Sequence, residues 1–252
     1  MRKKIRYKNI RGMSLCFGDK RPYYLEKIDA TSLSGVFSAD SFARFPGQVT
    51  NFRNVNARSV VCDFAIQITD RDKSIIEDVI ALFNPLLPGV LTIDTDSGTY
   101  EIDCCPSAVP SILPDDKVPS VYRFSIDFVC DYPYFRKPVP ITEKIFQAET
   151  KIYSYSSVDT PLKIHFPAGG IFTNRTTGQG FSISPASDGV GVTVDTKNFA
   201  ITDDNGNDVS NLISIADDIG DVYLQQGWNA IFCVCDVLPV TISYDILVQG
   251  VI

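Results

Sequence analysis

Along most of the chain, apolar and polar residues alternate with a period of two. Residues 60–68, 122–130, 162–166, 190–195, 222–224, 230–235 and 240–248 each put their apolar side chains on one face, the pattern of half-buried β-strands. One stretch breaks the rule. Ile75, Ile76, Val79, Ile80, Leu82 and Phe83 recur at helical spacing behind the N-cap candidates Asp70 and Asp72, predicting a helix over about 72–83 that Asn84-Pro85 ends. Asp96-Ser97-Gly98 and Asp204-Asn205-Gly206 supply residues that tolerate positive φ, so tight hairpins are expected there. Residues 12–22 and 33–52 carry little periodicity and read as long loops or hairpin arms. Many short strands with turns between them predict a mainly β protein of sandwiches or barrels with one α-helix.

A length of 252 residues admits one or two domains. Pro133, Pro138 and Pro140, followed by the polar stretch 143–157, favour two, with a boundary near 136–150: an N-terminal β-sandwich-like domain over 1–140 that carries the helix, and a C-terminal β-sandwich over 141–252. Charge divides along the same line. Residues 1–140 hold 18 Lys/Arg against 17 Asp/Glu, and residues 141–252 hold 5 against 13, so the net −7 is made of +1 in the first part and −8 in the second. Such an acidic half argues against nucleic-acid binding there, because affinity for phosphate backbones comes mainly from clustered cations. No run of 18 apolar residues offers a membrane-spanning helix, and the basic start lacks the apolar stretch of a signal peptide, so synthesis and retention in a cytosol are expected. Seven scattered cysteines, an odd number, read as mostly buried thiols and not as a disulfide framework.

Candidate chemistry is sparse. His165 is the single histidine, and it alternates with Leu162, Ile164 and Phe166 in a predicted strand with no Gly-x-Ser-x-Gly elbow in the chain. Cys233 and Cys235, and the adjacent pair Cys104-Cys105, lack the second couple that a tetrahedral zinc site needs. The carboxylate neighbours Asp115-Asp116, Asp203-Asp204 and Asp217-Asp218 would point to opposite strand faces or sit in turns, which does not make an acid/base couple. Setting Gly206 as the sixth residue of a calcium loop puts Ile201 first and Leu212 twelfth, where carboxylates are required, so a hairpin turn explains that stretch better. The pairs Gly178/Gly180 and Gly189/Gly191 lack the third glycine and the following helix of a phosphate-binding loop. Trp228, with Tyr223 and Phe232 nearby, could offer a flat aromatic face to a sugar or fill a sandwich core; the core is the favoured reading, and Trp228 and Tyr223 stand as the candidate carbohydrate contacts. No catalytic residue, cofactor or metal is predicted.

The order of the elements resembles the distal tail (Dit) proteins of long-tailed (siphovirus) bacteriophages. The likeness is carried by the helix running into Leu82-Phe-Asn-Pro85 and Gly89, then residues 90–93, then Gly98-Thr-Tyr100-Glu-Ile-Asp-Cys-Cys-Pro106, then Phe124-Ser-Ile-Asp-Phe-Val-Cys-Asp-Tyr-Pro-Tyr-Phe135. In the second half Thr193–Asn198, Asn205–Asp208 and Tyr223-Leu-Gln-Gln-Gly-Trp-Asn229 continue it, so that residues 60–250 are covered. The resemblance implies a non-enzymatic virion protein. Its N-terminal domain would form a hexameric ring and a galectin-like or carbohydrate-module-like sandwich would project outward. The ring would join the tail tube protein to the tail-tip (tail-associated) protein, in some relatives also carrying a receptor-binding protein, with DNA only as cargo through the lumen. A lumen without a basic lining is the corresponding expectation. The alternative is a lectin-like module that contacts the host cell wall.

Overall fold

The computed structural model describes residues 4–30, 33–35, 38–40, 49–51, 55–68, 74–186, 189–215 and 218–250. The chain divides into two compact units, Met1–Pro138 with Gln249–Ile252, and Val139–Val248. It is mainly β, as the alternation predicts.

The first unit is built from β1 (Lys4–Asn9), β2 (Ser14–Phe17), β3 (Tyr23–Asp29), β4 (Val55–Gln67), α1 (Ser74–Leu82), β5 (Gly89–Thr95), β6 (Gly98–Pro106) and β7 (Val121–Cys130). The strands follow the order β2-β1-β5-β6-β7-β4-β3, every neighbouring pair antiparallel. The strand β6 turns the corner between two sheets. Residues 98–104 pair with β5, whereas Cys105 and Pro106 pair with Val129 and Phe128 of β7. At the other end the chain leaves β2 and at once bridges Gly18 to Tyr24 of β3, which draws the two ends of the path together. Residues 12–22, expected as a loop or hairpin arm, therefore include a strand. Within 33–52, Ser38–Asp40 pairs with Val49–Asn51 as a hairpin arm.

The helix runs over Ser74–Leu82; the N-cap candidates Asp70 and Asp72 lie outside the described residues. Asn84 ends it as the sequence predicts, its carboxamide oxygen accepting from the Leu86 N–H at 2.9 Å. The helix buries Val79 and Leu82, and the residue just past its end reaches furthest into the core. Phe83 is fully buried and stacks on Tyr7 of β1 at 5.5 Å between ring centroids and on Phe64 of β4 at 5.8 Å, with Phe17, Phe124 and Phe128 around it at 5.9–6.0 Å. One ring thus ties both sheets to the helix, each aromatic pair contributing roughly 0.5–1.5 kcal/mol beyond area burial. Gly89 opens β5 where a Cβ would collide with the Lys8 carbonyl and the Tyr7 ring, which is why the strand after the Pro85–Pro88 turn starts on a glycine.

The second unit is a sandwich of two five-stranded sheets. Its strands are β8 (Ile141–Ile145), β9 (Glu149–Ser154), β10 (Lys163–Phe166), β11 (Gly170–Asn174), β12 (Gln179–Ile183), β13 (Val192–Asp195), β14 (Ala200–Asp203), β15 (Ile213–Ile215), β16 (Gly227–Cys235) and β17 (Val240–Tyr244). One sheet runs β8-β17-β10-β13-β14 and the other β9-β16-β11-β12-β15. Their inner faces meet through Phe166, Phe172, Phe181, Val192, Ile231 and Ile242, all buried. The polar stretch 143–157 forms β8 and β9, consecutive strands that edge one sheet each. In it Ile145, Ile152, Ser154 and Ser156 are buried, while Lys151, Tyr153 and Tyr155 point outward.

Candidate functional site

The residues that could carry chemistry are occupied structurally. His165 on β10 places its Nε2 3.0 Å from Asp204 Oδ1, while Asp204 Oδ2 accepts the Gly191 N–H at 2.9 Å, so the pair pins the turn before β13 to β10. Among the described residues no serine or cysteine is hydrogen-bonded to that ring, which leaves a nucleophilic centre without its nucleophile. All seven cysteines are free thiols, and Cys62, Cys104, Cys130 and Cys233 are buried. Burial pushes the Cys233 thiol up to about 12 and the Cys62 thiol well above its ordinary range, the condition of an unreactive core side chain. Among the described residues no group of three His, Cys, Asp or Glu side chains is placed to hold a metal ion. The Asp203 carboxylate accepts the Asn205 and Asn207 N–H groups at 2.9 and 2.8 Å and the Asn207 side chain at 2.9 Å, and Gly206 takes φ +83, so this stretch is the hairpin turn expected. These bonds hold the Asp203 carboxyl below the usual range.

What remains is a surface. Trp228 does not fill the core: it is 63% exposed. The cause is register. Asn229, Ile231 and Cys233 of β16 face inward, so Trp228, Ala230 and Phe232 face out, and pairing with β9 sets Tyr153 directly opposite Trp228. The Tyr153 ring lies 5.1 Å from Trp228 at 75°, and Tyr155 lies 4.7 Å from Tyr153 at 65°, a row of three edge-to-face rings. Tyr153 and Tyr155 did not figure among the candidates; the signal that could have found them is the alternation Lys151-x-Tyr153-x-Tyr155. Tyr223, the other candidate, lies elsewhere, on a two-residue strand against Pro161, with its carbonyl accepting from the Asn174 side chain at 2.7 Å.

The row borders a cleft of about 250 Å³ lined by Glu143, Lys144, Lys151 and Tyr244 as well as by the rings. Tyr244 donates its phenol to the Tyr153 carbonyl at 3.2 Å, and burial first, then the Glu143 and Tyr155 charges, push that phenol up to about 12. A second cleft of about 280 Å³ adjoins it through Thr150 and Lys151 and ends at Arg175 and Glu149, whose charges pair at 2.6 Å. The Arg175 guanidinium also stacks 4.6 Å over the Phe232 ring. Beneath the row, two buried asparagines hold the backbone. Asn229 accepts from the Gln225 N–H at 3.0 Å and donates to the Gln225 and Gly227 carbonyls at 2.9 and 3.0 Å, while Asn174 donates to its Oδ1 at 3.1 Å. Gly227, at φ +91, makes the turn that lifts Trp228 onto the surface.

No protein-family model matches the sequence, and no curated protein matches it. Comparison of the fold is informative. The crystal structure of the Dit protein (gp 19.1) of phage SPP1, described as a paradigm of the hub adsorption apparatus of phages infecting Gram-positive bacteria, matches over 96% of this chain and 98% of its own, with a TM-score of 0.70 at 12% identity. The fold is that of Dit. A chain of the phage P2 baseplate in its activated conformation with Ca also aligns, over 100% of both chains at 7% identity, but with a TM-score of 0.48 that is too loose to argue from. A match over 96% of the chain spans both units.

Proposed function

We propose that this chain is a structural hub of a phage tail tip, six copies closing into a ring that joins the tail tube protein to the tail-tip protein. The match to SPP1 Dit over 96% of this chain and 98% of that one is the observation that carries the proposal. The surface of the first unit supports it. At the β1–β2 turn Ile10 is 73% exposed, and in the turn after α1 Leu86 is 84% exposed; the Ile10 N–H bonded to the Pro88 carbonyl at 2.8 Å holds the two turns together. Asn9 builds this patch from below, its carboxamide oxygen accepting the Arg11 and Met13 N–H groups at 3.1 Å each. A fixed apolar patch on a near-neutral domain suits burial against a neighbouring protomer, and head-to-tail contacts that close give a ring. The strongly acidic second half suits an exposed periphery. Receptor-binding proteins are candidate partners of that periphery, and the lumen carries DNA past a wall without a basic lining. No catalytic role is assigned.

Light scattering with negative-stain imaging of the purified protein tests the reading, with and without the tail-tip protein of the same phage. Rings of six are expected, and the double variant Ile10→Asp/Leu86→Asp is expected to leave folded protomers that do not close. Monomers under both conditions, or rings unaffected by the double variant, would count against the hub and against the patch respectively.

A lectin-like module that contacts the host wall accounts for Val139–Val248 but leaves the first unit without a role. As a description of the whole chain it is the weaker reading.

A further inference from the structure

The outer face of β9 and β16 carries a feature that ring assembly by the first unit does not use. Along it run Trp228, Tyr153 and Tyr155 at one end and Phe232 with Arg175 at the other, with Lys151 between. Trp228 and Phe232 are four residues apart on one strand face, a separation of about 13 Å. The two clefts beside them share Thr150 and Lys151 as lining residues, so they are neighbours on this part of the unit. Each cleft, at about 250 and 280 Å³, lies at the small-ligand end of the scale and not at that of a docked helix or domain.

Charge narrows the class. Residues 141–252 contain only five cations against 13 carboxylates, yet Lys144, Lys151 and Arg175 all line these two clefts. Arg175 is engaged by Glu149 and Phe232. Lys144 and Lys151 are exposed and, among the described residues, hold no ion pair. Aromatic rings with exposed faces favour the apolar C–H faces of sugar rings, whereas free ammonium groups favour an anionic substituent between them. Nucleic acid offers stacking and charge as well, but its continuous phosphate backbone would be repelled by the acidic surroundings.

We infer that this face binds an oligosaccharide bearing anionic substituents, its rings lying on Trp228, Tyr153 and Tyr155 and its charge on Lys144 and Lys151. The site is built within the second unit, so it operates whether or not the chain closes a ring.

Trp228 is the only tryptophan of the chain, which makes its fluorescence a reporter at the site itself. The full chain is titrated with neutral hexasaccharides (maltohexaose and chitohexaose), with sparsely charged anionic glycans (a monosulfated chitohexaose and a largely methyl-esterified oligogalacturonate), and with a single-stranded DNA oligonucleotide. At least one anionic glycan is expected to change the emission saturably, at least tenfold more tightly than the neutral hexamers, and to weaken as salt rises. Tyr155→Ala and Lys144→Ala/Lys151→Ala, each confirmed folded by an unchanged unfolding midpoint, are expected to lose about tenfold or more, as befits a lost stacking or charge-assisted contact. Equal response to neutral and anionic glycans, a stronger response to DNA, or no response to any glycan overturns the inference. A response to a tail-protein partner alone overturns it too and makes the face a protein contact.

Discussion

Replacing Asn229 by alanine is expected to destabilise the second unit severely, although the side chain removed is small. The residue is fully buried and makes four hydrogen bonds, two accepted at Oδ1 from the Gln225 N–H and Asn174 Nδ2, and two donated by Nδ2 to the Gln225 and Gly227 carbonyls. Alanine leaves the Gln225 N–H and two carbonyls without their partner; Asn174 keeps its bond to the Tyr223 carbonyl. At roughly 1–3 kcal/mol for each buried group left unsatisfied, and less where water reaches the turn carbonyls, the loss is about 3 kcal/mol. For a unit of about 110 residues, Val139–Val248, unfolding entropy near 2.1 cal/mol/K per residue turns this into a fall of about 13 °C in its midpoint. Differential scanning calorimetry measures the fall, and the emission of Trp228, one residue away, is to shift in the folded state because Gly227 and Gln225 lose their tether. Asn229→Asp is the control for shape: it keeps the volume but turns a carboxylate oxygen toward the Gln225 and Gly227 carbonyls, so its loss is to exceed that of alanine. A midpoint change under about 2 °C for Asn229→Ala, with unchanged emission, would refute the claim that this amide organises the turn beneath the aromatic row.

Two further outcomes follow from the cores. Phe83→Ala removes the ring shared by both sheets and α1, and is expected to cost the first unit about 3–5 kcal/mol in denaturant titration at an unchanged m-value; a loss below about 1 kcal/mol would show that the site collapses around the gap. Tyr244 has a folded-state pKa raised from 10.0 to about 12, so the neutral phenol favours the fold: its contribution is complete below pH 10 and is lost as pH climbs through about 12. Absorbance titration at alkaline pH is to show Tyr244, and likewise the buried Tyr7, ionising after the exposed tyrosines, and Tyr244→Phe is to flatten the loss of stability over that window; simultaneous ionisation of all tyrosines would contradict it.

The strands were legible because burial on one face forces a period of two, and the single helix because Ile75 to Phe83 follow a different period before a proline. What alternation does not encode is which face of a strand meets a partner. In β16 Asn229, Ile231 and Cys233 share one face and Trp228, Ala230 and Phe232 the other, and by hydrophobicity the aromatic set looks like the core. The inward asparagine inverts that reading, since a carboxamide is buried only where a network satisfies it, and the partners that do so, Asn174, Gln225 and Gly227, come from the neighbouring strand and the turn. The same limit hid Tyr153 and Tyr155. Alternation with Ile152, Ser154 and Ser156 marks a strand, but two of its three buried residues are serines, one of them bonded to the Asp245 carbonyl at 3.2 Å, so the hydrophobic signal vanishes in a segment that folds through polar contacts. A surface made of outward aromatics over inward polar groups is therefore the kind of site that periodicity misassigns, and the register between β9 and β16 is the information that restores it.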